Sequence, residues 1–296
     1  MLIRQLKAIL ICITILTCMA SNTRALASEC LACHAAQQKH LNSAHRFTRQ
    51  PCISCHLGNA TSKDASTAHL GMVKSPGNLS DAGQTCGNCH PDQTTGVFNS
   101  HMHTGKNVVA TTRAVIEPDG DFATSSFQQL GDGIADSMLR KLCASCHLGH
   151  QRSAKAPDAV KDRGGGCLAC HLNSLESGKH PALTRKVEDG RCFGCHSRSG
   201  RISLSYAGLA EIDSETSQHS AGKYARLSDG RAVVHQSADI HHQAGMACID
   251  CHTGSGLMNM HTENKSRQSD ISCNDCHANN NPRLRQSSWP ERHSSL

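Results

Sequence analysis

The stretch Cys248-Ile249-Asp250-Cys251-His252 decides how the rest of the chain is read, because its pattern occurs eight times. Cys-x-x-Cys-His is the attachment signature of a c-type haem: two thiols form thioethers to the haem vinyl groups, and the adjacent His meets the iron from one face. The first cysteines are Cys30, Cys52, Cys86, Cys143, Cys167, Cys192, Cys248 and Cys273. The second are Cys33, Cys55, Cys89, Cys146, Cys170, Cys195, Cys251 and Cys276, and His34, His56, His90, His147, His171, His196, His252 and His277 close the motifs. Together they use sixteen of the eighteen cysteines. Zinc ribbons built from Cys-x-x-Cys pairs and a disulfide framework are the rival readings. Neither requires His after the second Cys in every copy, so the pattern predicts eight haem c groups.

The chain opens with Arg4 and Lys7, an uncharged run Ala8–Ala20 and a polar stretch ending Ala25-Leu26-Ala27. A basic start, an apolar centre and an A-x-A ending describe a secretory signal peptide over residues 1–27, cleaved after Ala27. The run is short of the roughly 20 apolar residues that a membrane-spanning helix needs. Cys12 and Cys18 lie within it, so the mature chain keeps no thiol outside a motif. Lipoprotein processing before Cys18 is the alternative, with Thr17 a poor residue at that junction. Haem is attached to such motifs outside the cytoplasm; leader and motifs therefore both predict export to the periplasm or cell surface.

Removing 27 of 296 residues leaves 269 for eight motifs. A domain of this length ordinarily buries a large apolar core, yet the chain has five Phe, two Tyr and one Trp. The cofactors must supply most of the interior, and a haem-free form should be largely unfolded. The formal charge of +6 falls to +3 once Arg4, Lys7 and Arg24 leave with the leader. A bis-His ferric haem with ionised propionates carries about −1, so eight bring the holoprotein to about −5. No basic tract points to nucleic acid.

Motif starts are separated by 22, 34, 57, 24, 25, 56 and 25 residues, which groups them as three, three and two. This suggests duplication of a three-haem unit. Between motifs the chain is rich in Gly, Ser, Asn and Thr, predicting a fold of mostly coil with short α-helices and little or no β-sheet. Short helices are expected at Ile134–Leu142 and at Ser203–Ile212. The segment 155–166, ending Gly164-Gly165-Gly166, reads either as a linker between lobes 28–154 and 167–296 or as a surface loop.

Thirteen histidines lie outside the motifs, and eight are needed if every iron has a second His ligand. The preferred distal candidates are His45, His69, His101, His103, His180, His241, His242 and His261. His45 and His241 each precede a motif by seven residues, His180 and His261 by twelve. Adjacent His241 and His242 can point opposite ways and serve two haems. His150 and His219 are the substitutes, His235 and His40 stand level with surface histidines, and His293 reads as solvated. A Met ligand from Met72, Met102, Met246, Met258 or Met260 would raise one potential. The acidic stretch Glu117–Asp121 lacks the ligand spacing of a calcium loop and reads as a solvated turn.

The motifs, with Cys192-Phe193-Gly194-Cys195-His196-Ser197-Arg198-Ser199-Gly200-Arg201-Ile202 and Asp239 through His252, make the chain resemble the multihaem, octahaem c-type cytochromes of bacteria that respire metals or sulfur compounds. That resemblance implies a cytochrome c fold organised around covalently bound haems, bis-His irons, electron transport in anaerobic respiration, and redox proteins as partners. Those partners are a membrane quinol-oxidising cytochrome and periplasmic or outer-membrane cytochromes. The expected role is an electron conduit without catalytic residues. The alternatives are an octahaem reductase of nitrite, hydroxylamine or tetrathionate type with one open iron, and a subunit of a conductive filament.

Overall fold

The computed structural model describes residues 29–40, 45, 51–120, 125–152, 163–174, 180–197, 202–213, 224–227, 230–260 and 271–278. The expected leader, His219, His261, His293 and residues 155–162 of the expected linker lie outside these. About half of the described residues are helical and 7% are in strands, the rest being turn and coil. Helices are short, as the sequence predicts. The chain divides into two compact units, Met1–Lys74 with Leu175–Ala182, and Ser75–Ser174 with Leu183–Leu296.

The first unit carries helices α1 (Cys30–Cys33), α2 (Pro51–His56) and α3 (Ala65–Ala68). Helices this short do not persist unaided. Asp64 caps α3: its Oδ1 accepts the Thr67 N–H at 2.9 Å and the Ser66 and Thr67 hydroxyls at 2.5 and 2.8 Å. Those donors hold its carboxyl down to about 2. After α2 the chain reverses through Leu57 and Gly58, both at positive φ. Val73 then donates its N–H to the His56 carbonyl at 2.8 Å.

The second unit begins with α4 (Leu79–Ala82), α5 (Pro91–Asn99), α6 (His101–Thr104), α7 (Lys106–Ile116) and α8 (Ile134–Leu142), the last within the bounds that its apolar spacing predicts. Helices α9 (Leu168–His171), α10 (Asp189–His196) and α11 (Ile202–Tyr206) follow, with short strands β1 (Leu172–Ser174) and β2 (Ala182–Leu183) between α9 and α10. Its main apolar cluster is Leu79, Ala82, Val97, Leu148 and Ala169, with Phe98, Met102 and Met258 against it. Among all described residues fourteen apolar side chains are buried, five of them alanine.

The two long gaps between motifs hold unlike structures. The first folds as the helical pair α7 and α8 over buried Val109, Ala135 and Leu139. Arg113 grips Asp136 through two bonds of 2.7 Å, and also donates to the Ser125 hydroxyl and the Gln129 carbonyl. Glu117 accepts the Ile134 N–H at 2.9 Å, so part of the acidic stretch serves as a cap for α8 rather than as a turn in water.

The second gap holds α11 and an antiparallel sheet ordered β3-β5-β4, from β3 (Leu209–Glu211), β4 (Ala225–Arg226) and β5 (Ala232–His235). Leu209 pairs with His235 and Glu211 with Val233. The helix expected over Ser203–Ile212 therefore ends at Tyr206, because Gly208 at positive φ turns the chain into β3 and the strand finds a partner in β5. Pairing with distant residues overrides local helical spacing here. Helices α12 (Ile240–Gln243), α13 (Cys248–Cys251), α14 (Gly254–Leu257) and α15 (Cys273–His277) complete the described chain.

The glycine triplet 164–166 is buried and structured. All three residues have positive φ. Gly165 and Gly166 donate to the His150 and Leu148 carbonyls at 2.7 and 3.1 Å, and Cys167 donates to that of Gly77 at 2.9 Å. A Cβ on Gly166 would collide with the Gly77 carbonyl and with Leu79. The triplet is glycine because backbone must pass backbone there, and the second unit runs through it.

Candidate haem-attachment and axial-ligand sites

Each of the eight Cys-x-x-Cys-His motifs lies on a helical turn. Six fall on α1, α2, α9, α10, α13 and α15, while the third and fourth carry 3-10 turns at Cys86–Asn88 and Ala144–Cys146. A helical turn places residues i, i+3 and i+4 on one face. Where the helical turn includes all three, it brings both thiols and the imidazole of a motif to one side of the backbone; in the fourth motif His147 lies beyond the turn in extended backbone. Backbone bonds close the turns: His34, His90, His171 and His252 donate to the carbonyls of Cys30, Cys86, Cys167 and Cys248 at 2.8–3.0 Å. Asp250 and Asp275 cap α13 and α15 by accepting the N–H of Ala247 and Ser272.

Among the described residues four motif histidines lie in ring contact with a histidine from outside the motifs, three of them at 5.9–6.1 Å. In the first unit the rings of His34 and His69 lie 6.1 Å apart, and those of His56 and His180 5.9 Å. In the second unit His241 and His277 lie 6.0 Å apart. Metal–imidazole bonds of about 2.0 Å, plus about 1.2 Å from Nε2 to the ring centre, would put two imidazoles on opposite sides of one metal about 6.4 Å apart.

The other ring nitrogen fixes which lone pair is available. Nδ1 of His56, His103, His171 and His180 lies 2.7, 2.8, 2.9 and 3.0 Å from the carbonyls of Val73, Phe98, Thr184 and Pro181. A carbonyl only accepts, so Nδ1 carries the proton and Nε2 keeps its lone pair. Nδ1 of His241 faces the Asp239 carboxylate at 2.9 Å, and Asp239 also accepts the His241 N–H. Metal-ligating histidines characteristically hand their second N–H to a carbonyl or carboxylate.

His147 differs. Its Nδ1 accepts the Gly149 N–H at 3.1 Å, and its ring stacks on Phe127 at 4.6 Å. Burial, and then the neighbouring His103 and His150, pull it down to about 4, so it is neutral at ordinary pH. His103 is the neighbour placed to face it, since a Cβ on Gly149 would touch both rings. His150 lies 6.5 Å from His147, but three residues are too short a tether for both to meet one iron from opposite sides.

Of the remaining distal candidates, His45 and His101 are half-buried, and His242 lies edge-on to Tyr206 at 5.3 Å. Adjacent His241 and His242 do face different neighbours, His277 and Tyr206. Sequence spacing gave no hint of Asp239, Tyr206 or Asp189. Tyr206 donates to the Met246 carbonyl at 2.7 Å, and burial pushes its hydroxyl up to about 12. For Asp239 the signal was available: an Asp just ahead of a short helix is a capping residue.

Thiols of different motifs also meet. The neighbouring Cys167 side chain pulls the Cys86 thiol down, while Cys167 itself is pushed up. Among the described residues no group of three or more His, Cys, Asp or Glu side chains is placed to hold a metal ion, and no helix is long and apolar enough to cross a membrane. Comparison with protein-family models, curated proteins and solved structures found no match.

Proposed function

We propose that the chain is an exported multihaem c-type cytochrome that carries electrons between redox proteins along eight covalently attached haems. The observation that carries this is the pairing of motif with non-motif histidines at 5.9–6.1 Å. Edge-to-face aromatic rings also pack at about 4.5–7 Å, so distance alone does not select ligation. What favours ligation is the membership of these pairs: each joins one motif His to one preferred distal His. In the His56–His180 pair both Nδ1 protons are directed to carbonyls, which leaves both Nε2 lone pairs for a metal.

Haem when bound supplies a one-electron couple whose potential follows its axial ligands. The chain's residues do the rest. Helical turns would present two sulfurs and an imidazole to the group, distal histidines would supply a second imidazole, and the carbonyls and the carboxylate facing Nδ1 of His56, His171, His180 and His241 would fix those rings' tautomer and raise their basicity. The donor set present fits bis-His haem c at the His34–His69, His56–His180 and His241–His277 pairs. Redox proteins are the partners this reading implies, in the periplasm or at the cell surface.

The reductase reading attaches to one place. In the fourth motif His147 accepts a hydrogen bond at Nδ1, unlike His56 and His171, whose Nδ1 faces a carbonyl. EPR of the oxidised holoprotein tests both readings. The conduit is expected to show low-spin signals alone, with iron at eight per chain. One stoichiometric high-spin haem that binds nitrite or cyanide would replace it by the reductase, and fewer than eight irons would end both.

A further inference from the structure

The histidines that face one another differ in what lies behind the ring. Nδ1 of His56, His103, His171 and His180 points at main-chain carbonyls, which carry no net charge. Nδ1 of His241 points instead at a carboxylate, Oδ1 of Asp239 at 2.9 Å. His241 in turn faces His277 of the eighth motif at 6.0 Å.

We propose that Asp239 sets the potential of the eighth motif: its negative charge, delivered through Nδ1 of His241, holds the haem on Cys273, Cys276 and His277 below the potential that a neutral acceptor in the same place would give. The inference rests on the haem reading above, with His241 as the second ligand of the iron on His277. A carboxylate that takes the Nδ1–H bond makes the imidazole a stronger donor, and its charge then lies one ring away from the metal. Ferric iron carries one more positive charge than ferrous, so both effects favour the oxidised state and lower the potential.

The contact is local and is built from groups that haem attachment leaves alone. The same Oδ1 caps α12 by accepting the His241 N–H at 2.8 Å. The Asp239 N–H is anchored on the Tyr206 carbonyl at 3.1 Å, and the Tyr206 hydroxyl donates to the Met246 carbonyl at 2.7 Å. Met246, which is buried, returns its own N–H to the His241 carbonyl at 2.9 Å. Asp239 and the backbone of His241 are thus fixed to each other and to the end of α11. With Nδ1 held on Asp239, the Nε2 edge of the ring is turned away from the carboxylate. Capping alone would be served as well by Asn or Ser; the charge matters only to the ring, and that separates a positioning residue for the ligand from a helix cap.

Redox titration of the full holoprotein, followed by its haem absorbance, tests this with Asp239→Asn and Asp239→Ser, both of which keep an oxygen for the cap and remove the charge. His241→Ala identifies the step that belongs to the eighth motif, because it takes away that iron's second imidazole. In both Asp239 variants that step should show the largest upward shift in potential. At a fixed potential within it, the ferric-to-ferrous ratio should fall about fivefold at low salt, the charge-assisted part of one hydrogen bond. The shift should shrink at about 1 M salt, because the Asp239 side chain is 45% exposed and its field is screened; loss of a cap alone would not follow salt in this way. An unmoved step, a downward shift, or a largest shift in a step that His241→Ala leaves in place overturns the role of Asp239 while eight haems per chain keep the haem reading standing. If His241→Ala displaces no step, His241 is not a ligand and the proposal falls with it. Fewer than eight haems in the unaltered protein overturns the haem reading itself.

Discussion

Replacing His180 by Ala tests the ligand assignment where its geometry is most complete. His56 and His180 face each other at 5.9 Å with both Nδ1 atoms engaged by carbonyls. They are 124 positions apart in the chain, so a metal bound by both cross-links a long loop. In the chain-entropy treatment of cross-links, a loop of this length contributes about 5 kcal/mol, an upper bound because other ligations inside it shorten the effective loop. His34 and His69 are 35 positions apart, for which the same treatment gives about 4 kcal/mol. His180→Ala should therefore turn one haem in eight high-spin and able to bind cyanide, and should lower stability by at least as much as His69→Ala. The assay is EPR and cyanide titration of the purified holoprotein, followed by guanidinium unfolding monitored by far-UV circular dichroism. If His180→Ala keeps every haem low-spin and leaves the unfolding midpoint in place, another residue holds that iron and the ring-pair argument fails.

Further outcomes follow from single contacts. Arg113→Ala strands Asp136, which is 4% exposed, and should cost about 3 kcal/mol, the low end for a broken buried pair because the guanidinium side chain is itself 15% exposed. The Arg113 guanidinium holds the Asp136 carboxyl below its ordinary value of 3.8. The pair's contribution is thus complete above that value and lost as pH falls through the folded one, so the variant should show a flatter acid limb in denaturant midpoints measured from pH 7 to pH 2. Gly166→Ala meets both a positive φ of 56° and the Gly77 carbonyl; about 2–3 kcal/mol should be lost, visible as a lowered thermal midpoint. Tyr206→Phe removes the bond to the Met246 carbonyl and should cost about 1 kcal/mol in chemical denaturation while haem content is unchanged.

The sequence made some levels of this fold legible and not others. A Cys-x-x-Cys-His repeat is local, so all eight motifs and the helix Ile134–Leu142 could be read from spacing, while the helical turns that carry the motifs were not. Distal ligands are set by which segments meet, and spacing speaks to that only by chance. His180 and His241, chosen by offset from the following motif, do face motif histidines, but those of the second and eighth motifs rather than the ones they precede. Ser203–Ile212 has helical spacing, but β5 lies where it can pair with Leu209–Glu211. The Gly164–Gly166 run has linker composition; only the burial of that backbone against His150, Leu148 and Gly77 distinguishes a close crossing from a flexible tether.

Local and long-range order in this chain come from different sources, and that bears on when it can fold. Helices of four or five residues form here because acidic and hydroxyl side chains cap them: Asp64, Ser100, Asp239 and Thr253 each accept a backbone N–H at a helix start. Such caps act within one turn and are worth about 1 kcal/mol apiece, enough to bias a turn but not to join distant segments. Long-range joining falls to a small, alanine-rich core and to histidine pairs that span 35 to 124 positions. Without a metal a pair of neutral imidazoles contributes an aromatic contact of about 1 kcal/mol, well short of the entropy of closing such loops. The haem-free chain should then keep fluctuating turns at its motifs while losing the arrangement among them. On the proposed haem reading, attachment at each Cys-x-x-Cys-His would precede assembly of the whole, because the bonds proposed to close the loops would need the iron.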